Sequence, residues 1–547
     1  MPDSEITVLI QTSYSPKKQE NSVSYIPDFP DLPLEFEYAL ALSDTNIQGH
    51  LDRLYRIALE NNGSRSTING FNASAEYVIE SLKEADACDI FVQNFKAPVW
   101  TNLGEPTLVI NAENNAIKFN YGVDFGYHRY GGSSADIQNS QFVHIKNNAC
   151  DPSTFPEVKG KVAIIDSNIT CTLYEASYAL ELAGASAILI STTEFSKKLS
   201  NARIRTVEWK ESDTLVTIPV LSITHSTFLT VLSSSKNTIN IVTHSKIEIA
   251  DTFNVFCVSR EGHHNNTIVV GAHLDSVADG PGINDNGSGS SAILEFALLY
   301  AKKKLHPKNR LVFAWWGSEE DGLLGSRYFM NELNKYELDG TISKNKKVIK
   351  TAGKLKIESN GDITDIIKKK DIVMNLNFDM LGSPNIIPFI LDGRSAPNKI
   401  RTESITIQKT FAELFETFGL PTILTGMNIS TDFIPFMNNG IPVGGLYSGS
   451  TEIKHPQIAK LVGGVPDVPA DPCYHKPCDT IDNIQPTGFH RLSKSAIYTI
   501  TKFAINPDLR TYLKTENINN HTTNLNSNKL YQKLAAKINT ENFSFPI

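Results

Sequence analysis

The chain has 547 residues, with 51 lysines and arginines against 59 aspartates and glutamates, giving a formal net charge of −8. Hydrophobic residues make up 41% and charged residues 20%, which is ordinary globular usage and excludes a disordered or fibrous chain. The acidic balance gives no general attraction to nucleic acid, and no stretch holds the roughly 18 apolar residues of a membrane span. We therefore expect large hydrophobic cores, no nucleic-acid partner and no membrane span.

Residues 1–33 predict an irregular segment without a secretory signal. Acids stand near the start, and the apolar patch Val8–Ile10 is short, whereas a signal needs a basic start and an apolar stretch of about 7–15 residues. Two interpretations stay open: a cytoplasmic protein, or a sequence whose true start has been lost.

Residues 34–125 form the first predicted part of the main domain. Ile47, Leu51 and Leu54 recur at helical spacing, and a second helical run passes through Tyr77 and Leu82. Two short strands are expected next, at Ile90–Phe95 and Leu108–Ile110.

Residues 126–247 differ in character and predict an inserted αβ domain. Strands at Val162–Ile165 and Ala187–Ile190 flank a helical run, Leu173–Ala183. A further apolar stretch covers Ile218–Ile223. Such an alternation can close a small core of its own.

In residues 248–506, buried strands alternate with helices. This pattern predicts an α/β fold, a three-layer αβα sandwich around a mixed, mostly parallel sheet. Residues 507–547 are rich in asparagine and lysine and predict a peripheral tail. The main strands are expected at Ile268–Ala272, Arg310–Trp316, Ile372–Phe378 and Val443–Tyr447.

Acidic and imidazole side chains follow three of these strands, at the positions where open α/β sheets bind ligands. Each alone is weak evidence, but together they indicate one site. They are His273, Asp275 and Asp285 after the first strand, Glu319 and Glu320 after the second, Asp379 after the third and His475 near the end of the domain.

This set of side chains is typical of a catalytic zinc site. Imidazole nitrogen and carboxylate oxygen, without thiolate, are the donors of catalytic rather than structural zinc. Two histidines and three carboxylates suffice for two ions about 3.5–4 Å apart that share a bridging carboxylate. Asp275 stands two residues after His273 and can accept the second imidazole N–H.

Five stretches of the chain resemble the co-catalytic di-zinc aminopeptidases of the leucine aminopeptidase and aminopeptidase Y type. The resemblance covers about Leu34–Phe503. It implies a zinc exopeptidase fold with an inserted protease-associated domain, which releases N-terminal residues from peptides. The stretches are VVGAHLDSV, PGINDNGSGSSAILE, FAWWGSEEDGLLGSRYF, NFDMLGSPN and CYHKPCDTIDN.

The resemblance implies a role for each donor. Asp285 corresponds to the carboxylate that bridges two zinc ions. His273 and Asp379 would hold one ion, and Glu320 and His475 would hold the other.

The resemblance also implies the residues of the reaction itself. Glu319 matches the general base, and Tyr474 matches a phenol that polarises the scissile carbonyl in some relatives. Asp275 would support His273, and the family has a cis peptide after the bridging residue, here Asp285–Asn286. Glu319 and Asp379 resemble residues that also bind the free α-amine of the substrate.

The substrate pocket departs from the family pattern. Many relatives have Gly-Arg-Ser-Asp where this chain has Ile-Ser-Thr-Asp at 429–432, so Asp432 aligns but the arginine is absent. Met380, Phe433 and Leu446 are apolar candidates for the pocket. An ordinary core position is an equal alternative for each of them.

Two disulfides are implied by the resemblance, with free thiols near His475 as an open alternative. The resemblance implies a secreted or vacuolar glycoprotein, which the implied disulfides suit; the eight Asn-x-Ser/Thr sequons permit secretion without proving it, and the one at Asn286 lies inside the metal motif. The implied pairs are Cys150–Cys171 and Cys473–Cys478, whereas Cys88 and Cys257 receive no assignment.

The main prediction is a metalloaminopeptidase that acts as a monomer on peptides with a free N-terminus, with two Zn²⁺ ions activating water and a glutamate as general base. A carboxypeptidase or glutaminyl cyclase of the same fold is one alternative, and a catalytically silent receptor-like ectodomain is another. The full set of donors argues against a cyclase and a silent domain. A carboxypeptidase would need a basic pocket for the terminal carboxylate, and the sequence has no arginine cluster near the motifs.

Overall fold

The computed structural model describes residues 32–111, 116–146, 149–166, 168–196, 198–234, 238–339 and 361–515. The predicted segment 1–33 lies outside these residues apart from its last two, and the predicted tail 507–547 is described only to residue 515. The helices are α1 (Leu34–Ala41), α2 (Asp44–Glu60), α3 (Phe71–Glu84), α4 (Leu173–Leu182), α5 (His225–Ser233), α6 (Gly289–Lys303), α7 (Leu324–Asp339), α8 (Arg401–Thr417), α9 (Phe433–Asn438), α10 (Pro456–Val462), α11 (Pro486–Ile505) and α12 (Leu509–Lys514).

The strands form two sheets. They are β1 (Asp89–Asn111), β2 (Ala116–Lys118), β3 (Phe125–Tyr127), β4 (Ala135–Ser140), β5 (Phe142–Ile145), β6 (Val162–Ile165), β7 (Ala187–Ser191), β8 (Val220–Ile223), β9 (Thr238–Val258), β10 (His263–His273), β11 (Asn309–Trp316), β12 (Ile372–Phe378), β13 (Phe389–Leu391), β14 (Ile423–Thr425) and β15 (Val443–Tyr447).

The main sheet is parallel at its centre and antiparallel towards one edge. Its order is β14-β13-β15-β12-β10-β11-β9-β1-β2, and β4 also pairs with β9. Strand β10 pairs in parallel with β11 and β12, and β12 pairs in parallel with β15. Central parallel strands are buried on both faces and therefore read as continuous apolar runs. The predicted bounds of β12 and β15 agree with the structure, although β12 also contains the buried Asn375 and Asn377.

Helices cover both faces of the main sheet. Successive side chains of a strand point to opposite faces. Val270 of β10 accordingly packs in a core with α2, α3, α6, α8 and α11, whereas Val269 packs in a second core with α7 and α9. The predicted three-layer αβα sandwich with a mixed sheet is confirmed.

The second sheet, ordered β3-β8-β7-β6-β5, belongs to the inserted region. Strands β1 and β9 pair antiparallel from Asp89–Val258 to Asn111–Thr238 and so run from the main sheet to the insertion. At that far end Leu108 and Ile239 pack in one core with strands of the second sheet. The insertion is therefore carried on two long paired strands.

Strand β1 differs from the sequence prediction. The two short predicted strands, Ile90–Phe95 and Leu108–Ile110, are the ends of one strand of 23 residues. Polar residues between them, in the stretch TNLGEP, break the apolar alternation, so the sequence pattern does not indicate one continuous strand. Pairing with β9 satisfies that backbone, with bulges near Gly104 and Thr107.

The carboxyl ends of β10, β11 and β12 lie at one edge of the main sheet. These strands end at His273, Trp316 and Phe378. The chain leaves each of them directly into a segment that bears acidic or imidazole side chains, and this edge holds the candidate site.

Candidate metal centre and active site

Five side chains converge into two groups that can hold metal ions. The first group is His273, Asp285 and Asp379, and the second is Asp285, Glu320 and His475. The possible donor atoms within each group lie within 4.8 Å of one another. All five are residues that the sequence predicted as zinc ligands.

The carboxylate of Asp285 lies between the two imidazoles. Its Oδ1 is 3.2 Å from Nε2 of His273, and its Oδ2 is 3.1 Å from Nε2 of His475. His273 Nε2 is also 3.3 Å from Oδ1 of Asp379, and His475 Nε2 is 3.2 Å from Oε2 of Glu320. One carboxylate thus presents one oxygen to each group, which is the arrangement of a bridging ligand.

Backbone hydrogen bonds hold Asp285 in this position. The predicted cis peptide Asp285–Asn286 is present. The carboxylate of Asp479 accepts the backbone N–H of Asn284 at 2.9 Å and of Asp285 at 3.0 Å. Asn483 donates to the same Asp479 carboxylate at 3.0 Å. The backbone of Asp285 is therefore supported by a second carboxylate, from a segment 194 residues further along the chain.

Asp275 connects His273 to the loop that carries the two adjacent glutamates. Its carboxylate accepts the backbone N–H of Glu319 at 3.0 Å and of Glu320 at 3.1 Å. Nδ1 of His273 lies 3.1 Å from the backbone carbonyl oxygen of Asp275 and 3.7 Å from its Oδ1. The imidazole N–H of His273 is therefore closer to the backbone carbonyl of Asp275 than to its carboxylate, which the sequence predicted as the acceptor. The carboxylate instead holds the loop of Glu319 and Glu320.

Glu319 is buried beside the two groups. Burial raises the pKa of this carboxyl well above its usual range. The imidazole of His273 opposes the increase, and the carboxylates of Glu320, Asp432 and Asp379 add to it. A carboxyl with a raised pKa suits proton transfer near neutral pH.

Tyr474 and His475 lie in a short segment closed by the Cys473–Cys478 disulfide. The two rings stack with centroids 3.8 Å apart. Burial lowers the pKa of His475, but the carboxylates of Glu320 and Asp285 more than offset it and raise that pKa to about 11. The imidazole therefore sits in a strongly negative environment, which also favours a bound cation.

A cavity of about 350 Å³ opens over the donors. Glu319 and Tyr474 line it, together with Met380 and Leu446. Asp379 lines it as well and accepts a hydrogen bond from Thr431 Oγ1. Acidic groups and an apolar surface thus share one cavity.

Two residues predicted for substrate binding are not brought to the cavity wall. Phe433 is fully buried in the core that contains α7 and α9, because it begins α9 and faces the sheet. Asp432 is also fully buried, and its Oδ1 accepts a hydrogen bond from Ser326 at 2.6 Å. Their neighbours Ile429, Ser430 and Thr431 line the cavity instead.

Arg65 is a supporting residue that the sequence analysis did not identify. It is fully buried and donates to the backbone carbonyls of Leu274, Pro281 and Gly282. These carbonyls belong to the loop between β10 and Asp285. Arg65 lies in the GSRSTING stretch between α2 and α3, and no local pattern there indicates such a contact.

The inserted region also reaches the cavity, which agrees with a lid or substrate filter, one of the two roles that the sequence left open for it; the sequence did not indicate which of its residues would be involved. Arg129, Asn201 and Arg203 line the cavity wall. Tyr130 donates to Oδ1 of Asp321, one residue after Glu320, at 3.0 Å. The arginines that the motifs lacked are therefore supplied by the insertion.

All six cysteines lie in the described part of the chain and are paired. The two implied disulfides, Cys150–Cys171 and Cys473–Cys478, are present. Cys88 and Cys257, left unassigned by the sequence, form a third bond, which joins the residue before β1 to β9. Among the described residues, no helix has the length and apolar character needed to cross a membrane.

Comparison with known proteins assigns the chain to a family. Residues 254–500 match peptidase family M28, and residues 137–230 match the PA domain. The chain is 30% identical over 487 residues to an aminopeptidase of Pseudomonas aeruginosa, covering 86% of this chain and 82% of that protein. The chain belongs to peptidase family M28.

Other comparisons agree with the M28 assignment. The chain is 28% identical over 444 residues to leucine aminopeptidase 2 of Trichophyton rubrum, covering 80% of this chain and 79% of that protein. Its fold is similar to that of a zinc aminopeptidase from Bacillus subtilis, with a TM-score of 0.55, 20% identity and coverage of 85% of this chain and 96% of that one. The prediction of a zinc-dependent metalloaminopeptidase with an inserted protease-associated domain is confirmed.

Proposed function

We propose that this M28 member binds two zinc ions and uses them to release N-terminal residues from peptides. His273, Asp379 and Asp285 would hold one ion, and Asp285, Glu320 and His475 would hold the other. The observation that carries the proposal is the single carboxylate of Asp285, with one oxygen turned to each imidazole.

The donors fit zinc in number and in chemistry. They are imidazole nitrogens and carboxylate oxygens, the ligands of catalytic zinc. Within the described part of the chain, Oε1 of Glu320 and Oδ1 of Asp379 are buried and have no hydrogen-bond partner. Buried polar atoms normally have partners, so these two oxygens support a bound cation.

Glu319 would act as the general base. When bound, zinc polarises a carbonyl and lowers the pKa of water to about 7. The Glu319 carboxylate would accept the proton of the attacking water and deliver it to the leaving amine. The hydroxyl of Tyr474, at the cavity wall, would donate to the developing oxyanion.

The cavity fits a substrate with a free, positively charged N-terminus. Glu319, Asp379 and Glu452 bring carboxylates to its wall, and an ammonium group pairs with carboxylates. Met380 and Leu446 would contact the side chain of the first residue. We therefore expect a preference for apolar first residues such as leucine.

A hydrolysis panel tests this function against its alternatives. Leucine p-nitroanilide should be cleaved, N-acetyl-leucine p-nitroanilide should not, and a zinc chelator should abolish cleavage. A carboxypeptidase would instead cleave N-blocked peptides from the C-terminus, and a cyclase would act on N-terminal glutamine. A silent domain would cleave none of these substrates.

Exchange of the base tests the role of Glu319. Glu319→Gln should keep its zinc, because no ligand is changed, but should lose activity by about 10²-fold or more because the base is gone. Zinc is measured by elemental analysis and activity with leucine p-nitroanilide. The control is Glu60→Gln on the exposed face of α2, which should behave as wild type. Retention of more than about a tenth of the activity by Glu319→Gln would contradict the assignment.

The same proposal extends to compartment and assembly. Three disulfides suit an oxidising environment, so we place the enzyme in a secreted or vacuolar setting. Among the described residues, the exposed sequon residues Asn62, Asn72, Asn168, Asn265 and Asn428 are candidates for glycosylation. Because every donor comes from one chain, a monomer would suffice for catalysis. Free thiols in the native protein would count against the compartment.

A further inference from the structure

Two arginines of the insertion bring positive charge into an otherwise acidic cavity. Arg129 follows β3, and Arg203 lies in the loop before β8. Their backbones form an isolated β-bridge, and the N–H of Ile204 donates to the carbonyl of Arg129 at 2.8 Å. The backbone thus fixes the two side chains next to each other at the wall of the cavity.

Neither guanidinium group has all its donors occupied. Arg203 is exposed, and its Nη2 donates to the backbone carbonyl of Glu320 at 2.8 Å. Arg129 approaches Oδ1 of Asp321 at 4.0 Å and, among the described residues, its side chain makes no hydrogen bond. An arginine offers five N–H donors in a planar fork, so both retain donors for a ligand.

Arg129 also balances charge at the acidic site, because it lies 4.0 Å from Oδ1 of Asp321, but other arginines near the site supply positive charge without lining the cavity. Arg205 of the same insertion is buried and is held by the backbone carbonyls of Thr206 and Asp321. Arg65 is fully buried among backbone carbonyls on the peptidase side. These residues supply positive charge without reaching the cavity, whereas Arg129 and Arg203 line it.

We propose that Arg129 and Arg203 form a binding subsite for a carboxylate on the part of the peptide beyond the scissile bond. The inference rests on the proposed aminopeptidase function, in which the acidic wall receives the N-terminus. Paired guanidinium groups recognise carboxylates through charge-assisted, often bidentate hydrogen bonds. The carboxylate is either the C-terminus of a short peptide or an aspartate or glutamate side chain.

The size of the cavity favours short substrates. Its volume of about 350 Å³ lies at the low end of ligand pockets, and Arg203 donates to the backbone carbonyl of Glu320, so the basic wall adjoins the acidic one. A peptide of two or three residues with both ends charged would satisfy both walls. The inserted domain would then select substrates as well as cover the site.

The first test uses the wild-type enzyme alone. Release of leucine is measured from Leu-Gly-Gly and its C-terminal amide, and from Leu-Asp-Gly-amide and Leu-Asn-Gly-amide. We expect kcat/KM to favour the carboxylate member of at least one pair by about tenfold, mainly through KM. A preference in the first pair assigns the terminal carboxylate, and one in the second assigns an acidic side chain. Ratios near one in both pairs overturn the inference.

The second test uses Arg129→Gln and Arg203→Gln. Each rate is divided by the same variant's rate with leucine p-nitroanilide, which carries no carboxylate. The preference should fall to within about twofold of unity in each variant, and Arg129→Lys should retain part of it. The control Arg53→Gln, half-exposed on α2, should keep the full preference. An unchanged preference in both Gln variants overturns the inference.

The outcomes separate this inference from the proposed function. If the wild type does not cleave leucine p-nitroanilide, the aminopeptidase function fails. If it cleaves that substrate but does not distinguish acids from amides, only the carboxylate subsite fails. Zinc content and the thermal midpoint of each variant show whether a lost preference comes from a disturbed fold. If it does, the comparison of acid and amide substrates with the wild-type enzyme decides the inference.

Discussion

Arg65 is a buried cation whose hydrogen bonds all go to one loop. Burial lowers the pKa of its guanidinium to about 10, while the carboxylates of Asp275, Asp479 and Asp285 oppose the decrease. The group therefore stays positive at neutral pH. Its donors hold the loop between β10 and the bridging carboxylate.

Replacement of Arg65 should destabilise the protein strongly. In Arg65→Met the buried carbonyls of Leu274, Pro281 and Gly282 lose their donor and the nearby carboxylates lose a counter-charge. Loss of one partner from a buried charged group costs about 3–5 kcal/mol. Urea unfolding of the zinc-loaded protein measures this, with Arg53→Met as the exposed control on α2. A loss below about 1 kcal/mol would mean that Arg65 is not an anchor.

The disulfides act on different properties because they close loops of different length. Cys88–Cys257 spans 169 residues, and Cys473–Cys478 spans 5. In the chain-entropy description, closing the longer loop stabilises the folded protein by roughly 5 kcal/mol, and closing the shorter loop stabilises it by roughly 2 kcal/mol. The first bond joins the start of β1, at the preceding residue Cys88, to β9, whereas the second encloses His475.

Removal of each disulfide should therefore give a different result. Alanine at both Cys88 and Cys257 should lower the thermal midpoint more than alanine at both Cys473 and Cys478. The second pair of substitutions should cost more activity and zinc affinity, because His475 loses its support. Thermal unfolding and zinc titration of both double variants check this. Equal zinc affinity in the two would contradict a positioning role for the short bond.

The elements show how much the sequence could predict. Strand β12 agrees to the residue, since a mostly apolar run is flanked by the charged residues Asp371 and Asp379, although Asn375 and Asn377 lie within it. The convergence of the five donors could be predicted for two reasons. Strand ends share one edge of the sheet, and the resemblance rested on whole motifs and not on single residues. For Phe433 the sequence left a pocket position and a core position open, and the structure shows the core position, since the sequence does not decide which side of α9 faces the sheet.

Contacts between segments distant in the chain could not be predicted. Arg65 lies more than 200 residues before the loop it holds, and a single arginine between two helices has no periodic pattern. Arg129 and Arg203 reach the cavity only because the insertion folds back over the site. Such contacts depend on how the two sheets are joined, and that follows from the length of β1 and β9.

At the scale of the whole molecule, Asp321 joins two other parts of the fold to the site. Its carboxylate accepts from Thr67 at 2.9 Å and from Tyr130 at 3.0 Å, and its backbone carbonyl accepts from Arg205. Thr67 precedes α3, and the other two residues belong to the insertion. Asp321 directly follows Glu320, so the position of the insertion is transmitted to the glutamate loop.

Zinc should stabilise the entire molecule, because its donors come from distant parts of the chain. Removal by a chelator leaves buried carboxylates in mutual repulsion, so the thermal midpoint should fall by several degrees and recover with added zinc. The shift should shrink from pH 8 to pH 6, since the carboxylates raise the pKa of His273 and His475 and protons then compete with zinc. Scanning calorimetry at several pH values measures it, with His475→Ala as a variant whose shift should be small. A midpoint that chelation leaves unchanged would contradict zinc binding at these residues.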